Sequence, residues 1–91
     1  MRISELVVSD ETEEHIWTKH RVTLDEVEEA CVAEPLVLRG RDGGYAVYGR
    51  TDAGRYLLIV LYPRGRGAYA LATARDMEDR ERRRYQEAKG R

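Results

Sequence analysis

The sequence predicts an α+β fold: two N-terminal helices, an antiparallel β-sheet of about four strands with a short extra strand at the N-terminus, and a C-terminal helix. Three observations predict it. Two successive helical segments come first, the second opened by a capping box. Runs of Tyr, Val, Ile, Leu and Thr then fill Tyr45 to Arg75, separated by two Gly-containing turns. A charged segment with helical spacing closes the chain. Helices followed by strands argue for an antiparallel sheet covered by helices on one side. The 91 residues make one domain, 1–91.

In chain order, Ile3 to Val8 reads as the short extra strand. Ser9 or Asp10 can cap a helix running to about Lys19, with Glu11, Glu13 and Glu14 in its first turns, where the helix dipole favours anions. Ile16 and Trp17 form its narrow inward stripe. Thr23-Leu-Asp-Glu26 is the capping box, and Val22 and Val27 stand where a hydrophobic staple would put them. Leu24, Val27, Ala30 and Cys31 share the apolar face. Pro35 ends this second helix, so the first two helices make an acidic αα hairpin with its turn at about His20–Val22. Leu36 to Arg39 starts the sheet, and Arg41-Asp-Gly-Gly44 carries the Asp-Gly pair of a type I′ turn. A three-stranded meander follows, turning at Asp52-Ala-Gly54 and at Pro63 to Gly67. Leu57 to Leu61 is apolar throughout, enough for a strand buried on both faces. In the last strand Ala68, Ala70, Ala72 and Ala74 alternate with Tyr69, Leu71 and Thr73, predicting an all-Ala face on which a helix can pack closely. Asp76 caps the final helix, whose stripe is Met77, Glu81, Tyr85 and Ala88.

Composition narrows the function. Charged residues make 36% of the chain and apolar residues 42%, enough apolar side chains to exclude a disordered segment. The net charge of −1 hides an asymmetry: residues 1–34 hold three basic and ten acidic side chains, and residues 35–91 hold thirteen basic and seven acidic. A basic second part points to a nucleic-acid partner or simply to a solvated face of opposite sign. The pI of about 6.1 speaks against a non-specific polyanion binder. Cys31 is alone, which leaves no intrachain disulfide and no cysteine zinc cluster; in an apolar helical pattern it reads as a core residue. No stretch has the pattern of a signal peptide or a membrane span, so the expected location is the cytoplasm. A helix-turn-helix DNA reader is disfavoured because Asp25, Glu26, Glu28 and Glu29 would carry negative charge into a groove.

Several ordered fragments resemble the BrnT toxin family, whose members have the RelE-like ribonuclease fold of type II toxin–antitoxin modules. These are Lys19-His20-x-Val22-Thr23-x-x-Glu26, then Gly49-Arg50-Thr51 followed by Gly54-Arg55-x-Leu57, then Ala74-Arg75 leading to Glu81-Arg82-Arg83-x-Tyr85. The chain reads as a divergent member. Val8, Ser9, Thr12 and Ile16 stand where members commonly carry Trp, Asp, Lys and Asn, and Arg21 replaces a glycine.

The resemblance implies an endoribonuclease acting on mRNA without a metal or other cofactor and neutralised by a cognate antitoxin of ribbon-helix-helix type. The ribose 2′-hydroxyl would attack the adjacent phosphate, which requires a base, cations for the phosphorane and an acid for the 5′-oxygen. The catalytic candidates it implies are His20, Arg50, Arg75, Glu81 and Tyr85; Lys19, Arg39, Arg41, Arg55, Arg64 and Arg66 are RNA-binding candidates. Each has a structural alternative. His20 can serve the last carbonyls of its helix, Arg50 and Arg75 can pair with acidic helices, Tyr85 can anchor the last helix, and Glu81 can pair with an arginine. Tyr48 and Tyr56, flanking the Gly-Arg-Thr turn, can stack bases. The rival function is a non-catalytic module of the same fold that binds a protein partner or RNA.

Overall fold

Both helix starts form as their sequences dictate. In the computed structural model, which describes residues 2–90, the Ser9 hydroxyl accepts the Thr12 N–H at 3.1 Å and opens helix α1, Asp10–His20. Arg21 ends α1 in the left-handed region at φ 54°. The capping box is complete at α2, Leu24–Val32: the Glu26 N–H donates to Thr23 Oγ1 at 3.1 Å, and the Thr23 N–H donates to Glu26 Oε1 at 3.0 Å. The strands are β1 (Glu5–Val7), β2 (Leu36–Arg39), β3 (Tyr45–Arg50), β4 (Tyr56–Gly65) and β5 (Ala68–Asp76), and helix α3 spans Asp79–Lys89. Asp42 (φ 60°, ψ 27°) and Gly43 (φ 79°) supply the two left-handed residues of the type I′ turn, and the Gly44 N–H closes it on the Arg41 carbonyl.

The sheet order is β1-β5-β4-β3-β2. Four strands form the expected antiparallel meander, but β1 lies parallel to β5, so the sheet is mixed. The α1–α2 hairpin intervenes between β1 and β2 and carries the chain over one face to the far edge of the sheet. On this hairpin face Ile16, Val22, Val27 and Ala30 pack against Val47, Leu57, Ile59, Leu61, Leu71 and Ala74.

Four expectations are corrected. Helices cover both faces, not one, because α3 lies on the opposite side, where Tyr85 packs with Tyr48, Leu58 and Met77. The all-Ala face does not exist. The pairing slips between Val60–Thr73 and Leu61–Leu71, so Ala72 is the extra residue of a bulge, and Leu71 and Ala74 both reach the hairpin core. Trp17 is 48% exposed, with the Arg21 guanidinium 5.1 Å from its ring centre, so Ile16 alone is buried from α1. The last helix also starts later than the sequence suggests: Glu78 caps it, through a capping box with Glu81, in place of Asp76.

One contact sets how close α2 can approach the sheet. Gly49 lies under Ala30, and a Cβ at Gly49 would stand 2.2 Å from the Ala30 carbonyl oxygen. Backbone cannot yield as a flexible side chain would. Gly49→Ala should therefore cost about 3 kcal/mol, the upper end of over-packing penalties, in urea unfolding; a change within about 0.5 kcal/mol, the range of an ordinary surface substitution, would refute this account of α2–β3 packing.

Candidate functional site

The most heavily bonded side chain is Arg55, the first residue after the Gly54 turn. Its guanidinium donates to both carboxylate oxygens of Asp76, at 2.7 and 3.1 Å, and to Glu26 at 3.2 Å. It also donates to the carbonyls of His20 and Arg21, each at 2.7 Å. It thus joins the turn between α1 and α2, the α2 capping box and the end of β5. Hydrogen bonding and charge from Arg55, with a smaller contribution from His20, hold the Asp76 carboxyl below its ordinary value. This guanidinium, among the RNA-binding candidates on sequence grounds, has its donors directed into the fold.

Side chains alternate across a strand. Asp76 therefore faces the hairpin and Arg75 faces α3. Arg75 meets Glu81 in two parallel hydrogen bonds, Nη1 to Oε1 at 2.8 Å and Nη2 to Oε2 at 3.0 Å, and its Nη1 also donates to the Asp76 carbonyl. Glu81 Oε1 accepts the Glu78 N–H at 2.8 Å as well. Hydrogen bonding from Arg75 chiefly, then the Glu78 amide, holds the Glu81 carboxyl below its ordinary value. Register puts Tyr48, Leu58 and Arg75 in one row across β3, β4 and β5. Tyr48, Arg80, Glu81 and Arg84 line a cleft of about 190 Å³ here, with Arg75 held in it by Glu81.

Arg50 stands in the next row, opposite Tyr56. Guanidiniums of Arg50 and Arg82 lie 5.5 and 4.4 Å from the Tyr56 ring centre, and the ring meets Tyr85 edge-on at 5.9 Å. The Gln86 amide, donating to the phenol at 3.5 Å, and the charges of Arg50 and Arg82 hold Tyr56 below its ordinary pKa. On a helix, positions 80 and 84 point about 200° away from 82 and 86. Helix α3 therefore separates two cationic clusters, one holding Arg75 and the other Arg50.

The remaining candidates are scattered. His20 ends α1 on the hairpin side, with its ring edge-on to His15 at 5.9 Å, so the sheet stands between it and the Arg75–Glu81 pair. Lys19 is exposed in the last turn of α1. Tyr85 is buried and anchors α3. Arg39, Arg41, Arg64 and Arg66 lie at the opposite end of the strands, at least five residues or about 17 Å from the Arg50 row. Sequence reasoning did not single out Tyr48, Arg80 and Arg84 as one site. The signal was the i, i+4 spacing of Arg80 and Arg84 on one flank of the helix.

Other groups offer less. Burial, then Glu28, pushes the thiol of the half-buried Cys31 up to about 11, which keeps it in the unreactive thiol form. A larger groove of about 640 Å³ between β1 and the end of α2 carries Glu5, Glu28 and Glu34 against one cation, Arg2, a net charge of the wrong sign for phosphate. No group of three or more His, Cys, Asp or Glu side chains converges among the described residues, and no helix among them is long and apolar enough to cross a membrane.

A meander sheet between an αα hairpin and a single C-terminal helix, with guanidiniums gathered on the single-helix face, defines the α+β class of the molecule. Neither a protein-family model nor a curated protein matches the sequence. The structure is similar to the 1.1 Å crystal structure of the Brucella abortus ribonuclease toxin BrnT, with a TM-score of 0.72 at 13% identity over 82% of this chain and 97% of that one. The chain has the BrnT-like fold that its ordered motifs suggested.

The depressed Glu81 carboxyl fixes the sign of a pH effect. Stability from its pairing is complete above its ordinary value of 4.5 and is lost as the pH falls through its lower folded value. Arg75→Met should destabilise by about 1 kcal/mol at neutral pH, the magnitude of a well-formed but partly solvated pair. The deficit should shrink below pH 4.5 in urea titrations; a constant deficit from pH 7 to pH 3 would show that the pair does not titrate this way.

Proposed function

We propose that the protein is a toxin-type endoribonuclease acting on mRNA, neutralised by a cognate antitoxin, and that the cleft at Arg75 is its active site. The observation that carries this reading is the Arg75–Glu81 pair, set among Arg80, Arg84 and Tyr48 on a fold similar to that of a ribonuclease toxin. In this scheme Glu81 Oε2, which accepts one hydrogen bond among the described residues, takes the proton of the ribose 2′-hydroxyl. The 2′-oxygen bonds to phosphorus, and the guanidiniums of Arg75, Arg80 and Arg84 stabilise the phosphorane charge. The P–O5′ bond then breaks, with the Tyr48 hydroxyl protonating the leaving oxygen. The products are a 2′,3′-cyclic phosphate and a 5′-hydroxyl. The proton transfers and charge stabilisation all come from side chains, so the scheme needs no metal or other cofactor.

His20 and Tyr85 have no proton-transfer role in this scheme, and Arg50 acts with Tyr56 and Arg82 on the far flank of α3. Incubating purified protein with end-labelled RNA tests the proposal. Arg75→Ala and Glu81→Gln should each lower the cleavage rate roughly 10²-fold, as loss of a charge-stabilising or general-base group does. Expression in bacteria should arrest growth, and the Arg75→Ala variant should not. RNA binding without cleavage by the unmodified protein would leave the rival reading, a non-catalytic module of the same fold.

A further inference from the structure

The turn-end arginines form a surface that the cleft does not use. The guanidiniums of Arg41, Arg64 and Arg66 are exposed and make no hydrogen bond or ion pair among the described residues, unlike Arg55 and Arg75. Beside them Tyr62, on β4, lays its ring against Gly44, the turn residue just before β3. A Cβ at Gly44 would stand 2.8 Å from Tyr62 Cε1, so only glycine lets the ring lie so close to the backbone. The ring keeps its other side to solvent and is 37% exposed. Alternation from Leu58 places Tyr62 on the α3 face of the sheet, the same face as the cleft. Between the two lie Val60, Ala70 and Thr73, only half-buried because α3 packs mainly on β2 and β3.

We infer that this turn end is a second RNA-contact site, in which Tyr62 stacks a base and Arg41, Arg64 and Arg66 hold phosphates of the strand leaving the cleft. The inference rests on the ribonuclease reading for the direction of the strand. Along β4, Tyr62 is four residues or about 13 Å from the Arg75 row, the length of about four stacked nucleotides at a rise of ~3.4 Å. An aromatic face flanked by unpaired cations is the arrangement that holds single strands without reading sequence. An acidic protein surface would satisfy the cations but would leave the supported, exposed ring without a purpose.

The test is binding of uncleavable, fully 2′-O-methylated RNA, which is independent of catalysis. For the unmodified protein, lengthening the RNA from three to ten nucleotides should tighten binding about tenfold or more, the gain expected from one base stack plus phosphate contacts. A Tyr62→Ala, Arg64→Ser, Arg66→Asn variant should lose that gain while binding the trimer unchanged, Asn being chosen because Arg66 sits at φ 56°. The salt dependence of ten-nucleotide binding should fall by about 0.7 for each phosphate no longer held by a cation. Arg64→Ser alone, at an exposed position, keeps the test valid if the triple variant misfolds, and should give a partial loss. An unchanged length gain in both variants overturns the inference, as does equal displacement of the RNA by polyglutamate, which would mark an acidic protein as the partner. Absence of RNA cleavage would sink the ribonuclease proposal but would leave a variant-sensitive length gain standing.

Discussion

Arg55 is the polar junction between the two halves of the molecule, beside the apolar core that packs them together. The sequence divides into an acidic hairpin and a basic sheet, and their attraction is channelled through one guanidinium. Its five donors suit planar, divergent acceptors in a way a lysine ammonium would not. Here they reach two carboxylates and two main-chain carbonyls. The carbonyls of His20 and Arg21, at the end of α1, gain a donor that no residue in the helix supplies. The arrangement also explains why Glu26 is the right third residue for α2, since it completes the capping box and receives Arg55 on the same carboxylate.

The site depends on this junction through a single peptide unit. Once Asp76 is held on the hairpin face, strand geometry turns Arg75 to the other face, where Glu81 meets it. Pairs this solvated contribute little net stability, because Coulomb attraction in a wet environment is offset by the ordering of long side chains. Their effect is geometric: the bidentate contact fixes the plane of the guanidinium. The α3 capping box recruits the same carboxylate through the Glu78 amide, so one glutamate starts the helix and aims the arginine.

Much of the fold was legible because it is set by short-range chemistry. Thr23 and Glu26 fix the start of α2, Asp42-Gly43 fixes the first hairpin, and the apolar run Leu57 to Leu61 fixes the central strand. The bulge at Ala72 was not legible, because alternation read along one strand cannot show that the partner strand is a residue short. The parallel partner of β1 was not legible either, since three residues carry no record of which edge they will join. Among the candidate site residues, Arg75 and Glu81 were singled out only as separate positions that the resemblance implied; their bidentate contact needed the helix axis.

What the sequence by itself determined is therefore the set of elements, their order and the places where the chain turns, together with the charge asymmetry between its two parts. Which cations share a surface was decided by the tertiary structure alone. Arg50 and Arg75 look equivalent as strand-end arginines, yet α3 crosses between them. Arg39, Arg41, Arg64 and Arg66 are carried to the opposite end of the same strands because successive hairpin turns alternate ends. Local sequence fixes the direction of a side chain relative to its own strand or helix. Convergence depends on register, on the face each helix covers and on where a helix axis falls, and these are fixed only when the two cores pack.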